Sequence, residues 1–322
     1  MADEMTGDQS KPIIVRSQRS SKLKSLLAVF LWLSSIHIVV FLVLLMLFFL
    51  PYRWSLTLFV LLLTLMFLPL FEKSPIAESF ARFICKHGPG HFPLTMVMED
   101  SDALDSKRNF IFAVEPHSVL PIGILGLCNF TGFLPVQKLK AFASSAIFYT
   151  PILRHVWSWL GLMPASRSLV IRTLNKGFSC VLIPGGVREM LYLEHDREVV
   201  YLKRRLGFIR LAIEMGTPLV PCFIFGQGRV YNWWKPKGVV YDQLSRALRF
   251  APLIFWGMFG SPIPFPHPLY VVVGKPIELK QNPQPTEEEV LEVRDMFISA
   301  MQELYERHKV DAGYTSVPLY VY

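Results

Sequence analysis

Residues 115–118, Glu-Pro-His-Ser, place a histidine two positions from a carboxylate at the end of an apolar run. Histidine titrates near neutrality, so a positioned His117 can take a proton from a hydroxyl and return it to a leaving group. Residues 110–114 are apolar and partly β-branched, the pattern of a buried strand. Glu115 precedes Pro116, which biases its backbone towards an extended form. Alternation along such a chain sets Glu115 and His117 on one face, so Glu115 is the expected orienting group for the imidazole. The plain alternative is a histidine and a serine that merely open a helix. A four-residue motif alone does not separate the two.

A second block adds chemistry. Residues 178–183 read as another buried strand, followed by Pro184-Gly185-Gly186-Val187-Arg188-Glu189. Two glycines let backbone N–H groups approach an anion, and Arg188 adds a forked donor. Glu189 is placed to buttress Arg188. Lys203-Arg204-Arg205 precedes an apolar helical run over 208–215, and residues 219–226 form a further buried strand. Other chemistries lack support. His87 and His91 flank Gly-Pro-Gly, which forbids the helix that would align them on a metal, so this segment is read as a turn. Residues 177–181 lack the second glycine of a Gly-x-Ser-x-Gly elbow, so no nucleophilic serine is expected.

The elements that must position these groups sit in a greasy chain: 322 residues, 52% hydrophobic, 13% aromatic. The net charge of +8 favours an anionic partner, namely a membrane surface or a phosphate-bearing substrate. The basic residues form no dense tract, and the hydrophobicity argues against nucleic acid. The four cysteines are widely spaced and read as buried thiols.

Residues 1–24 are polar and read as a disordered cytosolic arm. Residues 25–72 hold two apolar stretches, 26–50 and 56–71, around Pro51-Tyr52-Arg53-Trp54-Ser55. That pattern predicts a transmembrane helical hairpin whose turn carries interfacial aromatics. Basic residues flank both ends, while the turn holds only Arg53, which places both ends in the cytosol. The short second limb leaves open a hairpin that dips in and returns. Residues 73–322 then form the cytosol-facing, membrane-associated domain. Its strands alternate with helical stretches, which predicts an α/β fold with a mixed, largely parallel sheet and flanking helices. Residues 249–268, rich in aromatics and proline, read equally as a membrane-dipping lip or an irregular buried loop. Thr286 with Glu289 makes a capping box for a helix over 286–309.

Taken together, these motifs resemble the glycerolipid acyltransferase superfamily. The order is a strand ending at His117, a strand ending in Pro184-Gly185-Gly186-x-Arg188-Glu189, a basic stretch, an Arg210-Leu-Ala-Ile-Glu-Met-Gly216 helix and Pro218-Leu-Val-Pro221. Within it the chain is similar to the type-2 diacylglycerol acyltransferase family, Glu-Pro-His-Ser being like that family's plant branch. The superfamily's His-x-x-x-x-Asp is absent, since Ile122 stands at the aspartate position, and Ile183-Pro184-Gly185-Gly186 replaces its Phe-Pro-Glu-Gly.

The resemblance implies acyl transfer from acyl-CoA to diacylglycerol, with His117 as base, Glu115 orienting it and no further cofactor or metal. Pro116, Ser118, Gly185, Gly186, Arg188 and Glu189 are the expected substrate-binding residues. It also implies residence in the endoplasmic reticulum membrane and on lipid droplets, with self-association left open. Monoacylglycerol or a long-chain alcohol as acceptor, and a non-enzymatic hairpin coat, are the alternatives.

Overall fold

The computed structural model describes residues 12–71, 74–236, 238–248 and 253–322. Among these the strands are β1 (Ile13–Arg16), β2 (Leu94–Met98), β3 (Ile111–Glu115), β4 (Leu139–Ala143), β5 (Leu162–Pro164), β6 (Ser179–Leu182), β7 (Glu198–Val200), β8 (Leu219–Phe225), β9 (Asn232–Trp234), β10 (Ile254–Trp256), β11 (Leu269–Val273) and β12 (Leu319–Val321). The α-helices are α1 (Lys22–Leu33), α2 (Ser35–Phe48), α3 (Tyr52–Phe67), α4 (Pro75–His87), α5 (Ser145–Phe148), α6 (Leu153–Trp159), α7 (Arg167–Asn175), α8 (Gly186–Met190), α9 (Gly207–Met215), α10 (Val239–Leu248) and α11 (Glu287–His308).

Eight strands make one sheet in the order β1-β2-β11-β8-β3-β6-β4-β5. The block β5-β4-β6-β3-β8 is parallel, β11 pairs antiparallel with β8, and β2 lies parallel to β11. Strands β3 and β8 are buried along their whole length. Covered on both faces, they read as unbroken apolar runs in the sequence. One core side holds Phe110, Phe112, Val114 and Ile224, and the other holds Ala113, Phe223, Phe297 and Tyr305. The mixed, mostly parallel α/β sheet is the expected fold. Helix α11 starts at Thr286, whose side chain accepts Glu289 N–H. The Glu289 carboxylate turns instead to Asn282, 2.7 Å away, so the capping box is half made.

The N-terminal region differs from the sequence expectation. Residues 13–16, placed in the disordered arm, pair as β1 on the sheet edge. Residues 1–11 of that arm lie outside the described residues. Helix α1, expected to be part of the membrane hairpin, packs into the domain core. Its Ala28, Val29, Trp32 and Leu33 join Phe112 and Ile224 in one cluster. By length and composition α1 and α2 together still match a broken span, so the apolar stretch carries both a core contact and a membrane-length run.

The chain bends by 56° between α1 and α2, and α2 and α3 stand out with exposed Phe41, Phe48 and Phe59. At ~1.5 Å per residue these helices reach ~21 and ~24 Å, short of a ~30 Å hydrocarbon core. No described helix is by itself long and apolar enough to cross a membrane. Two contacts tie this hairpin down. Arg154 donates to the carbonyls of Leu65, Met66 and Leu68 at the end of α3, where helix carbonyls lack partners. His37 Nε2 donates to Phe255 O at 3.1 Å and its ring packs on the Phe255 ring. The 249–268 segment is thus divided. Residues 249–252 lie outside the described residues, Phe255 is packed on α2, and Phe259 is fully exposed.

Candidate active site

Strands β3, β6 and β8 run parallel as neighbours, so their C-terminal ends open on one edge of the sheet, where α/β sheets collect ligands. β3 leads into Pro116, His117 and Ser118; β6 leads into Pro184, Gly185 and Gly186; β8 leads into Gly226 and Gln227. The two motifs read from the sequence therefore meet in space.

His117 Nδ1 lies 2.9 Å from the carbonyl of Ser118. A carbonyl only accepts, so the proton sits on Nδ1 and the Nε2 lone pair is left for substrate. Burial pushes the imidazole pKa below its ordinary value, against a smaller upward pull from the Ser118 carbonyl. His117 is therefore neutral, the form a general base needs. The pH dependence follows with a definite sign. Activity that requires neutral His117 holds down through pH 6.5 and falls only below it, as the ring protonates. The acid limb of kcat/KM against pH is the check, and a limb centred above 6.5 contradicts the assignment.

Glu115 does not orient this ring, which corrects the sequence expectation. Its Oε1 accepts Gly185 N–H at 2.6 Å, and its Oε2 faces the carboxyl of Glu189. Alternation holds only inside a strand; β3 ends at Glu115, and His117 lies beyond it. Glu189 does not buttress Arg188 either. Its Oε1 accepts the backbone N–H groups of His117 and Ser118, at 2.5 and 3.2 Å, and its Oε2 accepts Tyr201 N–H at 3.4 Å. Since Glu115 occupies the Gly185 N–H, that amide is not free for a phosphate. Arg188 is exposed, as are Lys203 and Arg204, and its charge helps push the pKa of neighbouring Arg205 down after the larger effect of burial. Arg205 itself donates to Pro184 O at 2.5 Å. Ser118 is buried in a left-handed conformation (φ 54), and its Oγ has no partner among the described residues.

The sequence reading did not single out one residue that braces the loop. Gln227, buried at the end of β8, donates to Pro116 O and accepts Gly123 N–H at 3.2 Å, bracing the His117 loop from the side opposite Glu189. A polar side chain just past a buried strand was the signal, the same one that marks His117. Beside the loop, Leu120, Ile122, Cys128, Trp157, Trp32 and Leu33 line a narrow apolar recess whose outer wall is α1. Among the described residues no three His, Cys, Asp or Glu side chains are grouped to hold a metal.

Residues 46–320 match the family described as "Diacylglycerol acyltransferase". The chain is 31% identical over 258 residues to "Diacylglycerol O-acyltransferase 2-like protein 6" of Bos taurus, covering 71% of this chain and 74% of that protein. It is 30% identical over 247 residues to "2-acylglycerol O-acyltransferase 3" of Homo sapiens, covering 69% and 70%. It is 33% identical over 251 residues to "Diacylglycerol O-acyltransferase 2B" of Umbelopsis ramanniana, covering 70% of each. The family match over residues 46–320 and the relatives at 30% identity or more show that the chain belongs to the diacylglycerol acyltransferase family and is an acyltransferase.

Proposed function

We propose that the chain transfers an acyl group from acyl-CoA to the free hydroxyl of diacylglycerol, forming triacylglycerol, with His117 Nε2 as general base. The observation that carries this is the fixed tautomer of a neutral His117 at the sheet edge. Nε2 takes the acceptor's hydroxyl proton while the oxygen attacks the thioester carbonyl. The tetrahedral intermediate then expels the CoA thiolate, which receives that proton from the imidazolium. Direct attack needs no acyl-enzyme, in line with the missing serine elbow.

Ser118 Oγ–H, unpartnered beside the base, is the proposed donor to the developing oxyanion. Arg188, Lys203 and Arg204 are the proposed contacts for the CoA phosphates.

The membrane has a matching role. Helices α2 and α3, too short to span, form a hairpin that dips into the bilayer and returns, which leaves the domain on the cytosolic face of the endoplasmic reticulum or on a lipid droplet. Acyl-CoA then arrives from water and diacylglycerol from lipid. Monoacylglycerol is the second reading of the acceptor, favoured by the human 2-acylglycerol relative. A purely structural hairpin coat does not fit the family.

Membranes from a host without triacylglycerol synthesis, given labelled oleoyl-CoA and diacylglycerol, monoacylglycerol or fatty alcohol in turn, decide the acceptor. Triacylglycerol is expected as the main labelled product. Label confined to diacylglycerol made from monoacylglycerol, or to wax ester, rejects the proposed acceptor and keeps the chemistry.

A further inference from the structure

The transfer step above uses neither Glu115 nor Glu189, yet these two side chains hold the surroundings of the base. Both are 0% exposed. Glu115 comes from the end of β3 and Glu189 from α8. Their first oxygens reach outwards, Glu115 to Gly185 N–H and Glu189 to the N–H groups of His117 and Ser118. Their second oxygens converge over Gly185. A Cβ on that residue would run into Glu189 Oε2 and lie 3.0 Å from Glu115 Oε2. Glu115 Oε2 has no hydrogen-bond donor among the described residues.

Two buried carboxylates cannot both stay ionised in such contact; a single proton between them turns repulsion into a charge-assisted O–H···O⁻ bond. The proton belongs on Glu115. Burial, then the charge of Glu189, push the Glu115 carboxyl well up. Burial also raises Glu189, but its bonds to Glu115 and to three backbone N–H groups pull it back. The other charges facing the pair come from neighbouring elements. Arg205 weakly favours ionised Glu115, and Glu198 of β7, with Arg229 beside it, is itself pushed up to about 8. None of them supplies a counter-charge in contact with the second oxygens among the described residues.

We propose that Glu115 and Glu189 share one proton, and that this clasp, rather than a carboxylate–imidazole contact, positions the His117 base. The inference rests on reading His117 as the base. Both glutamates are positioning residues that act through the backbone of His117 and Ser118. The sign of the pH effect follows. A carboxyl raised on folding contributes stability that is complete below its unfolded pKa and is lost as pH rises through the folded value. Alkali therefore removes the proton, splits the clasp and displaces the loop.

Glutamine supplies the test, because an amide N–H can stand in for the shared proton. In Glu115→Gln the amide donates to Glu189 while its oxygen still accepts Gly185 N–H. In Glu189→Gln the amide donates to ionised Glu115 but loses Tyr201 N–H. In the double variant two NH₂ groups face each other. Each single variant is expected to lose less than about tenfold in kcat, and the double to fall at least about tenfold below the product of the singles. Melting temperatures of the four proteins read the same coupling without reference to catalysis, so the clasp stands or falls apart from the base. Glu115→Gln, having no proton to lose there, should also extend the alkaline limb of kcat upwards. Additive glutamine effects in both kcat and melting temperature overturn the clasp, as does an alkaline limb unmoved by Glu115→Gln. If the double variant fails to fold, that limb decides alone.

Discussion

His117→Ala lowers kcat by about three orders of magnitude, within the range a positioned general base contributes. Among the described residues the ring is tied only through its own Nδ1 to Ser118 O, while the loop is held by backbone bonds to Glu189 and by Gln227 on Pro116. Removing the imidazole therefore deletes one hydrogen bond, about 1 kcal/mol of stability, and leaves the loop in place. KM for either substrate should change little, because the deleted interaction matters when the proton moves. His117→Gln makes the same point more sharply: its amide can still reach the Ser118 carbonyl yet is no base at neutral pH. Labelled acyl transfer at matched expression, with thermal unfolding of the purified protein, is the measurement. A variant that folds like the parent and keeps a tenth of its turnover removes His117 from the mechanism.

Gly185→Ala is expected to be the more damaging of the two alanine changes in the Gly185-Gly186 turn. Backbone strain is not the reason: Gly185 has φ −58 and ψ −48, which alanine adopts freely. The obstacle is the new Cβ, which falls on Glu189 Oε2 with Glu115 Oε2 at 3.0 Å. Neither carboxyl can withdraw, since each is pinned to backbone N–H groups on its far side. Relieving the overlap displaces the His117 loop. The expected cost is about 2–3 kcal/mol of stability, the range for overpacking, and about 10²-fold in kcat, the effect of an ångström-scale misplacement. Gly186→Ala reverses the usual expectation. Its φ of 53 disfavours alanine, but nothing lies within 4 Å of its Cβ. It should cost only about 1–2 kcal/mol and leave more activity than Gly185→Ala. Steady-state kinetics and melting temperatures of the two variants check the order; equal losses contradict it.

Much of this site is visible in the amino-acid sequence. The runs that became β3, β6 and β8 are mostly apolar because the sheet is covered on both faces, and each ends at a polar or glycine-bearing motif. A histidine at such a boundary, and glycines after a buried strand, are local signals. The capping residue Thr286 and the left-handed Gly216 that ends α9 are local too, and both stand where their residue types predict. The short strand of residues 13–16 was harder to see, since four residues at a sheet edge inside a polar arm give almost no periodicity.

What each side chain touches was not visible. Glu189 meets the amides of His117 and Ser118 some seventy positions earlier, Gln227 meets Pro116 across more than a hundred, and α1 turns Ala28, Val29, Trp32 and Leu33 into the core. The sequence alone determined β3, β6 and β8, the histidine after β3 and the glycine turn, because hydrophobic runs and backbone preference are properties of neighbours along the chain. Only the tertiary structure decided that Glu115 pairs with Glu189 instead of His117. That choice depends on which strand ends lie side by side, something no stretch of neighbouring residues encodes.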